Sequence, residues 1–341
     1  MVFPAAAAGL RNERDSGRGG RVPSPAGVRR DPSGEPVTPM PSDERGARAR
    51  VVCQAPEAPR ANRAPGAPHL ACAPRAVAPR AQLRTDTAHP ARMYDYYLGG
   101  KDNFAADREA AENALAAAPE LRAMARANRA FLRRAVAFAA ASGVHQFLDV
   151  GTGLPTAGDP YDYSRADTRV VYADNDPMVL AHARALLARP GAATGVVAAD
   201  LRNPEELLRD PGLRDVLDLD RPVALILTAV VHYLADGDDP RGAIGTLMAA
   251  LAPGSLLVLS HATDGINPDS ARGAAAAYAH LPTPMTLRSR PAIRALFGGL
   301  TPVSPGVVPT PYWRPARTPR GGSDRVWMYA GVARKDDSGA G

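Results

Sequence analysis

Four apolar runs in this chain end in polar residues of the kind that grip or activate a small molecule. QFL leads into Asp149-Val150-Gly151-Thr152-Gly153, VVYA into Asp174-Asn175-Asp176, GVVAA into Asp200-Leu201, and VALIL into Thr228 with His232 shortly after. Carboxylates accept hydrogen bonds from hydroxyls and amines, and glycines let a ligand approach the backbone where a Cβ would stand in the way. If the runs are strands of a doubly wound sheet, these residues sit at the carboxyl ends, where such sheets bind ligands.

Two ligand classes compete for that pattern. A dinucleotide site begins with a glycine turn and has an acid about 20 residues on, and Gly151 precedes Asp174 by 23 residues. Against it, Thr156 stands where the third glycine belongs, Pro155 interrupts the turn, and Asp149 would repel a pyrophosphate. An acid there suits a cationic ligand instead. S-adenosylmethionine needs glycine for close approach, an acid such as Asp149 near its aminoacyl end, Asp174 for two ribose hydroxyls and Asp200 for the adenine amino group. Thr152, Asn175, Leu201 and Thr228 complete this expected cofactor site, and Lys101 and Arg129 are cations able to pair with its carboxylate. Asp176, before Pro177, reads as a helix N-cap.

His232 is the expected catalytic group. VVHYLADGDD is similar to the Leu-His-Asp-Trp segment of small-molecule O-methyltransferases, whose histidine is a general base, but Tyr233 replaces the aspartate. A histidine of ordinary pKa can take a proton from a hydroxyl near neutrality. His261 and Asp264 lie at the end of a later run. Neither an Asn-Pro-Pro-Tyr type motif nor a Pro-Cys nucleophile occurs, which argues against amino-methylation of bases and cytosine C5 methylation. No metal site is expected.

These residues need a scaffold. From Gly143 onward, short apolar runs alternate with helical patterns: strands at 146–150, 169–174, 194–200, 222–230 and 255–261, helices at 177–188 and 240–251. Runs that are apolar throughout belong to strands buried on both faces of a parallel sheet. A helix at 291–297 precedes VSPGVV and DRVWMYAGVARK, which are expected to pair antiparallel at the sheet edge. Ahead of the sheet, helices predicted around Tyr94, Tyr97 and Leu98 and from Pro119 to Gly143 form a cap, with Asp102 or Asn103 capping the helix between and the GGKDN turn a candidate lid. The expected domains are thus a tail at 1–85, a helical cap at 86–142 and a core at 143–335.

The tail explains the basic composition. Residues 1–85 hold 14 arginines against 7 acids, with 13 prolines and Phe3 as their one aromatic, whereas the rest balances 27 basic against 28 acidic residues. Such a segment has too little apolar surface to offset its ordering entropy, so it is predicted to be disordered. Its charge follows the arginine-rich usage of a chain with lysine only at 101 and 335, and specific nucleic-acid binding is not expected. Cys53 and Cys72 both lie in the tail, which excludes a disulfide framework from the folded part. The start has no basic n-region, and the stretch 222–235 is broken by His232 and too short to span a bilayer, so a cytoplasmic protein without membrane contact is expected.

The order of motifs resembles the class I S-adenosylmethionine-dependent methyltransferases. More closely, ARMYDYYLGGKDNFAADREAA, ANRAFLRRAV, QFLDVGTGLPT, VVYADNDPMVLAHARALL, ADLRNP, VVHYLADGDDP and LAPGSLLVLSHAT are similar to a family of S-adenosyl methyltransferases from high-GC bacteria, formerly a domain of unknown function. The resemblance spans about residues 85–335. It implies an α/β Rossmann-like fold, mostly parallel with an antiparallel edge strand and an N-terminal helical cap, and S-adenosylmethionine as cofactor. The family does not fix the methyl acceptor, which is expected to be a small molecule with a nucleophilic oxygen or nitrogen. One departure stands out: where the family continues GTGLPTAG with an amphipathic helix, this chain reads DPYDYSRADT between Ala157 and Thr168. That change makes a catalytically inactive cofactor-binding protein the rival reading, and a nicotinamide-dependent oxidoreductase a more distant one.

Overall fold

The computed structural model describes residues 84–155, 167–186, 193–317, 319 and 325–336. All fall in one compact unit, Ala76–Gly341. The expectations for the tail up to residue 83, and for nearly all of the altered segment 157–168, lie outside the described residues.

Three helices precede the sheet. Helix α1 (Pro90–Leu98) starts on His89, whose side chain accepts from the Ala91 N–H, and ends on Gly99 at φ +83°. A left-handed residue there is what glycine tolerates without strain. Helix α2 (Ala105–Ala117) is not capped by Asp102 or Asn103: Phe104 is its N-cap, and Asp107 reaches back to the Phe104 N–H. Asp102 and Asn103 donate to Asp95 instead. Helix α3 (Leu121–Ala141) buries Leu121, Met124, Phe131, Leu132, Val136 and Ala139 at three- and four-residue spacing, the stripe of a helix lying on a core. Gly143 follows at φ +84°.

The sheet has eight strands in the order β3-β2-β1-β4-β5-β8-β6, with β7 also paired to β8. They are β1 (Gln146–Val150), β2 (Arg169–Asp174), β3 (Ala193–Ala198), β4 (Val223–Thr228), β5 (Leu256–Ala262), β6 (Thr301–Pro302), β7 (Val308–Pro309) and β8 (Met328–Arg334). The first five pair parallel. β8 runs antiparallel between β5 and the short β6 and β7, so the two C-terminal segments pair as expected, with β8 inside the sheet rather than at its rim.

Alternation along each strand divides the core in two. Leu148, Val150, Val171, Leu225, Leu227, Leu257 and Leu259 face one cluster, and Phe147, Val170, Tyr172, Ile226, Leu256 and Val258 the other, which α3 covers. Each such side chain contributes roughly 1.5–3 kcal/mol on burial. β3 departs from the doubly buried pattern because it is the edge strand, and most of it is only partly buried.

Helix α4 (Pro177–Leu186) starts at the expected Pro177, where the Asp176 carboxylate accepts from the Met178 N–H at 2.7 Å. Helix α7 (Pro240–Ala249) also matches the sequence pattern. Helices α5 (Pro204–Arg209) and α6 (Pro211–Arg214) are one or two turns long, too short for a periodic signal. Helix α8 (Pro268–Tyr278) is not among the helices expected from the sequence. Its buried face is only Ala271, Ala274 and Tyr278, packed with the cap helices, and small alanines give little hydrophobic contrast. Helix α9 (Arg290–Ala295) precedes β6. Among the described residues no helix is long and apolar enough to cross a membrane, and no group of three or more His, Cys, Asp or Glu is placed to hold a metal ion.

Candidate active site

The chain leaves β1 toward β2 on one side, while β4 lies on the other. The reversal opens a crevice above the carboxyl ends of β1, β2 and β4. A cavity of about 110 Å³ fills it, bounded below by Val150, Gly151, Thr152, Gly153, Asp174 and Asn175. Asp200, Leu201, Arg202, Thr228 and Val230 wall it further, and His89, Pro90, Ala91, Tyr94, Asn128 and Arg129 of the cap cover it.

The glycine turn is fastened to the next strand. Gly151 (φ +72°) and Gly153 (φ +66°) are left-handed. A Cβ on Gly151 would stand 2.3 Å from a Val230 methyl, whereas one on Gly153 meets nothing within 4 Å and the residue lines the cavity. Gly151 N–H donates to the Ala173 carbonyl at 2.8 Å, and Gly153 N–H to Asp174 Oδ2 at 3.0 Å. The other Asp174 oxygen accepts from the Asp176 N–H at 2.9 Å. Burial raises the Asp174 pKa, opposed by these two hydrogen bonds.

Asp200 lies two residues beyond β3, in a turn. Arg202 donates to both of its oxygens, at 3.2 and 3.1 Å, and Asn175 Nδ2 donates to it at 3.2 Å. Arg202 also approaches Asp238 and donates to the Tyr233 carbonyl. This cation was not anticipated, although it stands in the ADLRNP segment.

Of the expected cofactor residues, Gly151, Thr152, Gly153, Asp174, Asn175, Asp200, Leu201, Thr228 and Arg129 come together around the cavity. Asp149 and Lys101 do not line it. Asp149, buried within β1, accepts from the Thr152 hydroxyl at 3.0 Å beneath the glycine turn. Lys101 is exposed on the GGKDN turn, which is pinned to Asp95 rather than closed over the crevice: Gly100 N–H bonds the Asp95 carbonyl, and Asp102 N and Asn103 Nδ2 bond its carboxylate.

His232 is also absent from this cavity. It lies in a 3₁₀ turn, Val231–Tyr233, and is 2% exposed, and its Nδ1 has no hydrogen-bond partner. Burial first, then His261 and Arg288, depress its pKa well below 6.5, so an ionisation near neutrality is not expected of it. It lines a second, smaller cavity of about 30 Å³ that shares Tyr94, Ala229 and Tyr233 with the first. Ala229, between them, has φ +57°, a conformation costly for a residue with a Cβ and characteristic of functional sites. Its N–H is held by Ser260 Oγ at 2.9 Å; Ser260 donates to Asn128 Oδ1, and Asn128 Nδ2 donates to the Tyr94 hydroxyl.

His261 and Asp264 do not face the crevice. His261 is fully buried and accepts from Arg288 Nη1 at 2.8 Å, and Asp264 pairs with Arg272. Arg288 donates as well to the Val231 and Leu234 carbonyls and to Asp236, which staples the turn carrying His232. Neither Arg288 nor the cavity-lining Tyr94 and Asn128 announced a role, because each is defined by partners remote in sequence.

A family model described as S-adenosyl methyltransferase matches residues 76–336. The fold is also that of two crystal structures. One is a DUF574 family protein from Streptomyces avermitilis MA-4680, 41% identical, covering 74% of this chain and 100% of that one with a TM-score of 0.71. The other, named a candidate methyltransferase, comes from Thermobifida fusca YX, 37% identical over 74% of this chain and 97% of that one with a TM-score of 0.70. No curated protein matches the sequence.

Proposed function

This chain belongs to the S-adenosyl methyltransferase family, and from that premise we propose that it methylates an oxygen or nitrogen of a small molecule, with the crevice cavity as the cofactor site. It is an S-adenosylmethionine-dependent methyltransferase, and the bound cofactor supplies the methyl group from a sulfonium centre. The observation that carries the assignment of the site is the cavity at the sheet reversal, where open space at Gly153 adjoins the carboxylates of Asp174 and Asp200.

The lining fits the cofactor. Gly153 admits a ligand against the backbone. Asp174, tied to the glycine turn, retains acceptor capacity for ribose hydroxyls, and Asp200 and Asn175 stand with Leu201 where an adenine ring can be sandwiched and hydrogen-bonded. Arg129 offers a cation to the carboxylate end. The cap covers the crevice through α1, which excludes water from the reacting centre and holds the acceptor against it.

Two features favour a small acceptor. Cap residues His89, Pro90 and Tyr94 line the cavity of about 110 Å³, and the second cavity beside it, about 30 Å³, is too small for a macromolecular side of contact. The test is incubation with methyl-labelled cofactor and three acceptor pools: hydroxyl- and amine-bearing small molecules, total RNA, and protein. Label is expected in the small-molecule pool alone; incorporation confined to RNA or protein overturns the proposal.

A further inference from the structure

The smaller cavity lies behind Ala229 and Tyr233, between the cap helices and the start of β8. Resting on the function proposed above, we infer that it seats the reacting end of the acceptor, and that this acceptor is an uncharged aromatic molecule presenting a hydroxyl to His232.

Three observations carry this. First, no charged side chain lines the cavity: its walls include Tyr97, Tyr233, Tyr278, Trp327 and Met285, with His232 as the titratable group outside the tyrosines. A carboxylate, phosphate or ammonium entering it would lose hydration without a counter-charge. Second, the walls suit a ring. Tyr233 stacks on Tyr278 at 6.0 Å and 30°, Tyr278 hydroxyl lies 3.0 Å from that of Tyr97, and a flat π-system can extend that stack. Third, His232 Nδ1 is buried without a partner, a costly state that a ligand can relieve.

A hydroxyl both donates and accepts, so it satisfies either tautomer of that ring, while an aliphatic amine would enter as a cation. Burial keeps Tyr97, Tyr233 and Tyr278 as neutral phenols and His232 as a neutral imidazole, so the seat itself carries no charge. The volume, about 30 Å³, admits one or two water-sized groups, so it takes the hydroxyl-bearing edge of the ring while the remainder lies at the wall shared with the larger cavity.

The groups facing His232 are accounted for. Tyr233 is 4.4 Å away and His261 5.5 Å, ring to ring, and Arg288 lies behind His261, bonded to it and to Asp236. That cation does not line the cavity, its field favours the neutral form of the His232 ring, and Asp236 pairs with it.

Calorimetry with four probes tests the inference: 4-methylphenol, toluene, 4-hydroxybenzoate and tyramine, each with and without saturating S-adenosylhomocysteine. The full-length chain is expected to bind 4-methylphenol at least about tenfold more tightly than the two charged phenols. It should prefer 4-methylphenol to toluene by about three- to tenfold. His232→Phe keeps the ring shape and should abolish that hydroxyl preference. Met285→Trp, a half-buried loop position that avoids overpacking the core, should abolish probe binding while the variant still unfolds cooperatively. Equal or tighter binding of a charged phenol overturns the inference. So does a hydroxyl preference that survives His232→Phe, unchanged binding in Met285→Trp, or no binding of 4-methylphenol by the natural chain. Failure of S-adenosylhomocysteine to bind is a separate result that sinks the assignment of the cofactor site, and the titrations without it still report on the acceptor seat.

Discussion

Asp174 carries two duties at once, holding the glycine turn through the Gly153 N–H and walling the cavity with the same carboxylate. Asp174→Ala is therefore expected to weaken S-adenosylhomocysteine binding by about 1–3 kcal/mol, measured by calorimetry, because charge-assisted hydrogen bonds to the ribose are lost. Unchanged affinity in a folded variant would place the ribose elsewhere. The two glycines of the turn should respond differently to alanine. Gly151→Ala drives a Cβ into Val230 and should lower the melting temperature, whereas Gly153→Ala has open space and should act mainly on cofactor affinity. A buried histidine supplies a pH dependence of a different kind. His261 has its pKa lowered to about 3, chiefly by burial. In the unfolded chain the ring takes a proton below about 6.5, but in the native state only near 3. Its contribution is thus fully present above about 6.5 and is lost as pH falls toward 3. By pH 4.5 the loss is about 2–3 kcal/mol. Denaturant titrations at pH 7 and pH 4.5 should show that His261→Gln, whatever its absolute stability, falls less between them by about that amount; an equal fall would mean that His261 is protonated in the native protein. At this scale the sequence exposed the acids at strand ends, because strand and turn residues are neighbours along the chain. It did not expose the burial of His232 or its unpartnered nitrogen, which depend on packing against the cap helices and against His261 and Tyr278, residues not adjacent in sequence.

Helix α1 covers the crevice, and a carboxylate from the next helix holds it there. Asp107, fully buried, accepts from the His89 N–H at 2.9 Å, the Phe104 N–H at 2.8 Å and Arg92 Nε at 3.1 Å. Asp176 adds contacts to His89 and Arg92 from the start of α4. Removing Asp107 takes away the nearer carboxylate of the buried Arg92 guanidinium, at 3.1 Å, and leaves it the longer contact to Asp176 at 3.8 Å. Asp107→Ala is expected to cost about 3–5 kcal/mol in chemical denaturation and to weaken S-adenosylhomocysteine binding through loss of α1, whereas a loss below about 1 kcal/mol would show that α1 is held by packing alone. Among elements, β1, β2, β4, β5, α3, α4 and α7 were legible because their apolar spacing is strong and their starts are marked by proline or an acid. Helix α8 was not, since alanines on its buried face differ little from those on its exposed face. The caps of α2 were misread for a related reason: Asp102 and Asn103 have the right chemistry for capping, and only the position of Asp95 in the folded cap decides that they bond there.

Across the whole molecule, the sheet is completed by the last described strand. β8 lies between β5 and β6, and it buries Met328, Ala330, Val332 and Ala333. Truncation after residue 324 would expose the edge of β5 and is expected to give an insoluble or unfolded product on expression. Deletion of residues 1–75, which precede the family match, is expected to leave melting temperature and S-adenosylhomocysteine affinity unchanged. The cut belongs there and not at residue 84, because Arg92 donates to the Arg84 and Thr87 carbonyls beneath α1. A melting temperature lowered by several degrees would show that the deleted residues bear on the fold. The sequence by itself determined the alternation of strands and helices and the polar residues at strand ends, since periodicity and turn chemistry are local properties. Only the tertiary structure decided which of those residues share a cavity, that Asp149 supports the glycine turn from below, and that His232 faces an uncharged pocket. Those outcomes depend on strand order and on where the cap helices settle, and both are set by the burial of side chains far apart in the chain.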